Sequence, residues 1–185
     1  MNNLKKSNLK RILFDAIILL IGSGLIIFID TYVKNWSYTV LYEDYGGKKD
    51  FIPHLVSLFY AENTGAAWSI LEDAPWVFMI LSSLLIIALI VYWFWEKSRN
   101  VLLRISLLMI TGGGAGNMID RLFRTGSRFG NRNGFVIDMF NFEFIDFPVF
   151  NVADICVTVG AFLLVVYLLV YEIILAKKKA VITNE

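Results

Sequence analysis

The stretch PWVFMILSSLLIIALIVYWFW at positions 75–95 contains 21 residues and no charged side chain. A run of about 20 apolar residues is long enough to cross the hydrocarbon core of a bilayer as a helix. Aromatic residues lie at both of its ends, where a membrane-spanning helix meets the lipid–water interface. The whole chain is 57% hydrophobic with a mean hydropathy of +0.64, well above a typical soluble domain. The stretch therefore predicts a transmembrane helix in an integral membrane protein.

Three more apolar runs of similar length flank it, at about 12–29, 101–119 and 155–176. Together the runs predict four transmembrane helices within a single membrane domain that covers residues 1–185. The first run follows basic residues, as the apolar part of a secretory signal does. It is rather long for a signal, however, and no small-x-small cleavage site follows it, so we expect it to remain as the first helix.

The segments at 35–74 and 120–154 separate these helices on one side of the membrane and carry a different pattern. The first contains FIPHLVSLFY from position 51, which is rich in the aromatic and branched residues typical of strands. The second contains the turn signal NRNG from position 131, followed by FVIDMFNFEFIDF. The predicted fold class is an α-helical integral membrane protein with four transmembrane helices and a small extracytoplasmic β-sheet or loop region.

The placement of basic residues predicts how these helices are oriented. Ten basic residues and four acidic residues lie before the first helix, between the second and third, and after the fourth. The other side holds seven basic and twelve acidic residues. Since cytoplasmic segments are enriched in lysine and arginine, we expect both termini in the cytoplasm. Four arginines at 121–132 oppose this orientation, but the even helix count and the three basic segments outweigh them.

Composition excludes several kinds of site. The single histidine, His54, leaves no multi-histidine metal centre, and the single cysteine, Cys156, leaves no intramolecular disulfide. A net charge of +1 gives no sign of nucleic-acid binding. The run TGGGAG from position 111 has no strand before it, so it predicts close helix packing and not a nucleotide-binding loop. We expect no metal and no cofactor.

Polar side chains gather at the outer ends of the predicted helices, at a depth where ionisable groups are costly and seldom face lipid. Asn117 comes three and four positions before Asp120 and Arg121, which places all three on one helix face. We expect Asp120 and Arg121 to form an ion pair. Asn151 and Asp154 are three positions apart at the start of the fourth helix, where the helix dipole favours a carboxylate. The pattern indicates carboxylate chemistry of the aspartic-protease kind, without singling out which acids act.

Five motifs carry a family resemblance. In order along the chain they are DTYVK from Asp30, NTGAAW from Asn63, GGAGNMIDR from Gly113, VIDMF from Val136 and FNVADI from Phe150. With these motifs the sequence resembles lipoprotein signal peptidase, also called signal peptidase II, along nearly its whole length. The resemblance implies that Asp138 and Asp154 are the catalytic pair. The residues that it implies for substrate binding or support of the site are Asp30, Asn63, Asn117, Asp120, Arg121 and Asn151.

The activity implied by this resemblance is that of a membrane aspartic endopeptidase. Its partners would be membrane lipids and diacylglyceryl-modified bacterial prolipoproteins, whose signal peptides it would remove just before the lipid-bearing cysteine. The enzyme would be a monomer in the bacterial cytoplasmic membrane, with its active site at the outer face.

A second hypothesis for the function, from a different class of protein, is a proton-coupled membrane transporter or channel that uses the same carboxylates. A glycine-rich break in the third helix would suit this alternative, although transporters usually place ionisable groups near the middle of the membrane. The chain departs from the family pattern at Thr31, Trp68 and Ile155, and its arginine-rich segment at 121–132 has no assigned role.

Overall fold

A computed structural model of the chain describes residues 2–65, 75–130 and 133–183. Within these ranges the chain forms α-helices, a short π-helical stretch (Ser37–Leu41) and one antiparallel sheet. The helices are α1 (Asn2–Trp36), α2 (Tyr42–Tyr45), α3 (Pro75–Trp95), α4 (Val101–Phe123) and α5 (Val152–Thr183). The strands are β1 (Lys48–Ile52), β2 (Val56–Asn63) and β3 (Val136–Phe142).

The four long helices form a bundle in which α4 packs against α1, α3 and α5. Three helical stretches within the described ranges are long and apolar enough to cross a membrane: Asn8–Tyr45, Val101–Phe123 and Val152–Lys177. The fourth helix, α3, contributes 21 residues without a charge. Large apolar side chains such as Leu20, Ile87 and Phe162 are exposed on the outside of the bundle, where lipid replaces water as the solvent. The predicted fold class, four membrane-spanning helices with a small sheet, is confirmed.

The first helix extends beyond its apolar run in both directions. Hydropathy marks only the part that is soluble in lipid, at about 12–29, whereas the backbone hydrogen bonds of α1 continue to Trp36. The polar residues Asp30 and Lys34 therefore belong to the last turns of a helix. Because they are four residues apart, they lie on the same helix face.

The glycine-rich run lies inside α4, which continues through it without a break. A Cβ atom on Gly113 would lie 2.5 Å from the carbonyl oxygen of Ala153 on α5. A Cβ atom on Gly116 would lie 2.8 Å from Oδ2 of Asp30 on α1. The glycines therefore allow α4 to approach both neighbouring helices closely, and the predicted packing role is confirmed.

The sheet has the strand order β1-β2-β3, with both neighbouring pairs antiparallel. Both segments predicted to contain strands do so, and the turn between β1 and β2 contains the exposed His54. The pairing of β2 with β3 shifts between Leu58 and Ala61, and beyond this irregularity Ala61 lies opposite Asp138. Alternate residues of a strand point to opposite faces of a sheet. At the end of β2, Ala61 and Asn63 therefore point to one face, and Glu62 points to the other.

An apolar core attaches the sheet to the end of α1. Its buried members come from the π-helical stretch, from β2 and from β3 with the residue before it; they are Leu41, Leu58, Tyr60, Phe135, Ile137 and Met139. We call this part of the molecule the sheet end of the bundle. This core leaves the opposite face of β3 available for the functional site.

The end of the bundle away from the sheet is held by hydrogen bonds to backbone carbonyls. Trp93 Nε1 donates to the carbonyl of Asp15 at 3.0 Å, and Arg104 Nη1 donates to the carbonyl of Trp93 at 2.9 Å. The Arg104 guanidinium also lies 4.3 Å from the centre of the Trp93 ring, a favourable cation–π contact. The N-terminal end of α1 and the C-terminal end of α5 lie on this side of the bundle, opposite the sheet.

We predict that Gly113→Ala lowers stability by about 1–3 kcal/mol, the usual cost of overpacking. The new methyl group would meet the backbone carbonyl of Ala153, which cannot rotate away as a flexible side chain could. Gly24→Ala on α1 is the matched control, because a Cβ atom there meets nothing within 4 Å. Alanine is favoured over glycine inside a helix by about 0.5–1 kcal/mol, so the control should keep or raise its Tm. Thermal unfolding in detergent tests this, and equal Tm values for the two variants would contradict the packing role.

Candidate active site

Asp138 lies on β3 and is almost completely buried, with 2% of its surface exposed. Its Oδ2 accepts a hydrogen bond from Asn63 Nδ2 at 3.0 Å, and its Oδ1 accepts one from Asn151 Nδ2 at 2.6 Å. Asn63 is the last residue of β2, and Asn151 immediately precedes α5. The two amides therefore fix the carboxyl group of Asp138 from two different elements.

Asp154 lies in the first turn of α5, where it forms a reciprocal cap with Asn151. Asn151 Oδ1 accepts from the Asp154 N–H at 2.9 Å, and Asp154 Oδ2 accepts from the Asn151 N–H at 3.1 Å. An asparagine followed three residues later by an acid is a sequence pattern that forms such a capping box. The other oxygen, Asp154 Oδ1, accepts from Asn117 Nδ2 of α4 at 2.8 Å. Asp154 thus takes part in the helix cap through one carboxylate oxygen, while its other oxygen is bound from across the site.

Asn151 joins the two carboxyl groups. Its side chain is fully buried; Oδ1 caps α5, and Nδ2 donates to Asp138 and, at 3.1 Å, to Asn117 Oδ1. One amide therefore contacts Asp138 directly and Asp154 through the helix cap. Because this amide is held on both sides, it fixes the position of one carboxyl group relative to the other.

A buried lysine lies behind this pair. The ammonium of Lys34 is 2.6 Å from Asp30 Oδ2 and 2.9 Å from Asp120 Oδ2, and it donates to Asn117 Oδ1 at 2.8 Å. Arg124 Nη2 lies 2.8 Å from the other oxygen of Asp120, so two cations balance two carboxylates. Because the side-chain oxygen of Asn117 accepts the hydrogen bond from Lys34, its amide nitrogen is turned toward Asp154. The ammonium thus sets the orientation of an amide that contacts the candidate pair.

The predicted ion pair between Asp120 and Arg121 is wrong. Asp120 pairs with Lys34 and with Arg124, which is one helical turn further along α4. Arg121 instead donates to two backbone carbonyls after β2, those of residues 64 and 65, at 3.4 and 2.5 Å. The physical reason is helix geometry, because consecutive residues do not face each other, whereas residues four apart do.

The two aspartates face a cavity of about 520 Å³ that lies beside α4, α5 and β3. Five of the predicted site residues line it: Asn63, Asn117, Arg121, Asp138 and Asp154. The rest of the wall is almost entirely apolar, with Val136, Phe142, Phe147, Pro148, Val149, Phe150, Ile155, Thr158 and Val159. The other predicted site residues support this wall from behind through the contacts described above; they are Asp30, Asp120 and Asn151.

The carboxyl group of Asp138 is a weaker acid than an ordinary aspartate, because its pKa is raised. Its pKa is raised from 3.8 to about 7, first by burial and then by the negative charge of Asp154. The hydrogen bonds from Asn63 and Asn151 and the charge of Lys34 act in the opposite direction but are weaker. A carboxyl group with this pKa is partly protonated near neutral pH, which is what acid–base chemistry by a pair of carboxyls requires.

Sequence reasoning missed Lys34 as a member of the site. Lys34 has no role assigned from the sequence, whereas in the structure its ammonium contacts Asp30, Asp120 and Asn117. The signal that could have revealed it is the spacing of four residues between Asp30 and Lys34 on one helix. A buried lysine needs a carboxylate partner, and this spacing supplies one.

The departures from the family pattern fall in different places. Ile155 lines the cavity next to Asp154, where its side chain forms part of the apolar wall. Thr31 is half-buried on α1 beside Asp30. Trp68, as well as Arg132 of the arginine-rich segment, lies outside the residues that the structure describes. Among the residues described, no group of three or more histidine, cysteine, aspartate or glutamate side chains is arranged to hold a metal ion.

Comparison with known proteins points to one family. A family model described as signal peptidase (SPase) II matches residues 23–170. Lipoprotein signal peptidases of Streptococcus pyogenes serotype M5 (strain Manfredo) and serotype M18 (strain MGAS8232) are each 40% identical over 159 residues, which is 86% of this chain and 93% of theirs. Two solved structures described as a bacterial membrane enzyme, at 2.3 and 1.9 Å resolution, superpose with TM-scores of 0.71 and 0.69. They share 27% identity with this chain and cover 82% of it, and the matched part is 87% and 92% of theirs.

We predict that the stability of Asp138→Asn relative to the wild type increases as the pH rises from 4 to 8. The folded protein holds the Asp138 proton more tightly than an unfolded chain does, since the pKa is about 7 instead of 3.8. The carboxyl therefore contributes stability below about pH 4 that is lost as the pH rises toward 7, whereas the amide has no such proton to lose. The difference in Tm between the two proteins, measured at several pH values in detergent, tests this. Asp50→Asn removes an exposed carboxyl of the same sheet and serves as the control; a pH-independent difference for Asp138→Asn would contradict the prediction.

Proposed function

The chain belongs to the signal peptidase II family, and from that premise we propose that it removes the signal peptide of diacylglyceryl-modified prolipoproteins as an aspartic endopeptidase. Family membership makes the chain a membrane protease. The aspartic mechanism is supported by one observation above all. Asp138 and Asp154 line the same cavity, and the side chain of Asn151 contacts both residues.

The different surroundings of the two carboxyl groups support different roles. Asp154 accepts two N–H hydrogen bonds in the first turn of α5, and both the donors and the helix dipole stabilise its ionised form. Asp138 lies on a buried strand, where a raised pKa favours the protonated form. Asp154 therefore acts as the general base and Asp138 as the acid.

The reaction then proceeds in two steps. Asp154 takes a proton from a water molecule, whose oxygen attacks the carbonyl carbon just before the lipid-bearing cysteine. The protonated Asp138 donates a hydrogen bond to the carbonyl oxygen as it gains negative charge. In the second step the C–N bond breaks, and the proton held by Asp154 passes to the leaving amine of the cysteine. The two carboxyl groups return to their starting state when the products leave.

The rest of the cavity suits a lipidated, largely apolar substrate. Its wall of aromatic and branched side chains can cover the apolar end of a signal peptide and the acyl chains that enter from the bilayer. Asn63 and Arg121 lie at the same wall and can bind backbone carbonyls of the extended peptide. Arg121 already holds the backbone carbonyls that follow β2, so it also shapes this side of the cavity.

We place the protein in the bacterial cytoplasmic membrane, with both termini in the cytoplasm and the sheet end outside. The support for this orientation is charge, since the three basic segments lie at the end of the bundle opposite the sheet. The site would then meet substrates that have been lipidated in the outer leaflet. The monomeric state expected from the family resemblance is part of the same proposal.

The transporter alternative has no observation in its favour. Its one supporting feature was a break in the glycine-rich segment, and α4 is continuous there. The carboxylates of the site gather at the sheet end of the bundle, whereas a transporter binds its substrate near the middle of the membrane.

We predict that Asp138→Asn and Asp154→Asn, made separately, each reduce cleavage of a lipidated precursor by at least about 100-fold. General acid–base catalysis by one positioned group contributes about 10²- to 10⁴-fold, and each variant removes one such group. Asp146→Asn, which alters an exposed acid of the same outer region, should cleave normally. Cleavage is followed by gel shift or mass spectrometry in detergent micelles, with a chelator present. Normal cleavage by either of the first two variants would show that the assigned pair is wrong.

We also predict that kcat/KM, which reports the pKa values of the substrate-free enzyme, falls as the pH rises through about 7. Asp138 must be protonated to act as the acid, and this form is populated below its pKa of about 7 and lost above it. Initial rates with a lipidated peptide at pH 5–9 test the prediction. A rate that increases steadily across this range would mean that Asp138 acts in its ionised form and that the two roles are reversed.

A further inference from the structure

The segment that follows α4 crosses the sheet end of the molecule as a strap, which we define as residues 124–130. Tyr38 donates its hydroxyl hydrogen to the carbonyl of Gly126 at 2.7 Å. The guanidinium of Arg128 lies 4.3 Å from the centre of the Tyr38 ring and pairs with Glu43 at 2.7 Å. Phe129 packs edge-on against Tyr42, with ring centres 6.1 Å apart. These contacts therefore hold the strap to the helical turns that follow α1.

A single carboxylate on β2 binds the middle of this strap. Glu62 accepts hydrogen bonds from the Ser127 hydroxyl, from the Arg128 backbone N–H at 2.7 Å and from the Tyr60 hydroxyl at 2.8 Å. Hydrogen bonds to an ionised acceptor are roughly twice as strong as neutral ones. The site chemistry described above does not use Glu62, yet three donors converge on it.

Glu62 is adjacent to Asn63, the residue that donates to Asp138 at 3.0 Å. The two side chains point to opposite faces of the sheet, so Glu62 faces the strap while Asn63 faces Asp138. This end of β2 has weak support from its own sheet. The pairing with β1 stops at Phe59, and one further backbone hydrogen bond runs from the Tyr60 N–H to the carbonyl of Gly47 at 2.8 Å. From Ala61 to Asn63 the strand is paired with β3 alone. A strand end with few hydrogen-bonding partners unfolds locally more readily than the rest of the sheet. The contacts that Glu62 makes on its own face of the sheet therefore help to hold this end of β2 in place.

We propose that Glu62 is a positioning residue, which clamps the end of β2 to the strap and so holds Asn63 against Asp138. The inference rests on the proposed function, because its consequence is the placement of the acid in that reaction. The arginine-rich segment, which had no assigned role in the sequence, acquires one: Ser127 and Arg128 supply two of the three donors to Glu62.

The clamp has a distinctive kinetic consequence. The Asn63 hydrogen bond is among the interactions that lower the pKa of Asp138. If the end of β2 loosens, this bond weakens and the pKa of Asp138 rises further. The alkaline limb of the pH–rate profile, which is the part where the rate falls as the pH rises, then moves to higher pH. At the same time kcat falls because the acid is misplaced. Loss of stability alone would not move the limb.

The test compares Glu62→Ala and Glu62→Gln with Glu43→Gln as the control. Glu62→Ala removes all three acceptor contacts, and we expect kcat to fall by about 10- to 100-fold, the range expected for a misplaced catalytic group, with a smaller change in KM. Glu62→Gln keeps an acceptor oxygen for Arg128 N–H and Tyr60, so it should restore most of kcat. Glu43→Gln keeps an acceptor oxygen for the Arg128 guanidinium, so the strap stays anchored, and it leaves Glu62 in place. Its rate and pH profile should therefore match the wild type. Rates are measured with a lipidated peptide in detergent at pH 5–9, together with Tm.

The results for the Glu62 variants either support or overturn the clamp. Wild-type kcat and an unmoved alkaline limb in Glu62→Ala would overturn the clamp, and so would a loss of kcat that follows the loss of Tm in every variant. If Glu62→Ala does not fold, Ser127→Ala removes one of the three contacts: a kcat several-fold lower with the limb at higher pH supports the clamp, and a normal profile overturns it. Failure of the wild type itself to cleave would refute the proposed function, which separates that result from failure of the clamp.

Discussion

The buried ammonium of Lys34 is the charge on which the arrangement of the helices depends. A cation removed from water is stable only with carboxylates and acceptors around it, and here these come from Asp30 on α1 and from Asp120 and Asn117 on α4. Asp30 also accepts from the Ala153 N–H at 2.8 Å, which brings in the start of α5. One small ionic cluster therefore sets the register of three membrane helices at the same depth.

The close approach of the helices is what makes this cluster possible. Gly116 has no side chain, which leaves room for the carboxylate of Asp30 against α4. Gly113 likewise lets α4 contact the backbone of α5. With α4 and α5 held this closely, Asn117 reaches across to Asp154, and Asn151 reaches Asp138 on the strand. The two carboxyl groups come from a helix and from a sheet, and this difference of origin gives them different solvation. Burial on the strand raises the pKa of Asp138, whereas Asp154 has the N–H groups of a helix start around it.

Much of the fold was predictable because it follows from local composition. Apolar runs of membrane-spanning length predicted the helices, and aromatic segments with turn signals predicted the strands. The cap formed by Asn151 and Asp154 was also readable, because both partners lie within one helical turn. The pair of Asp120 with Arg121 was predicted wrongly, since depth and proximity along the chain say little about direction around a helix. Lys34 was missed for a related reason: its partner Asp120 is 86 residues away in the sequence.

The sequence by itself determined that the chain is a membrane bundle with a small sheet, and its motifs determined the family to which it is similar. Those properties depend on hydropathy and on short patterns, which act within one segment. Only the tertiary structure decided which polar groups meet: that Asn151 links Asp138 with Asp154, that Arg121 binds the backbone after β2, and that Glu62 holds the strap. These contacts join segments far apart in sequence. Their energies depend on distance, burial and direction, and none of these is defined until the helices and the sheet have packed together.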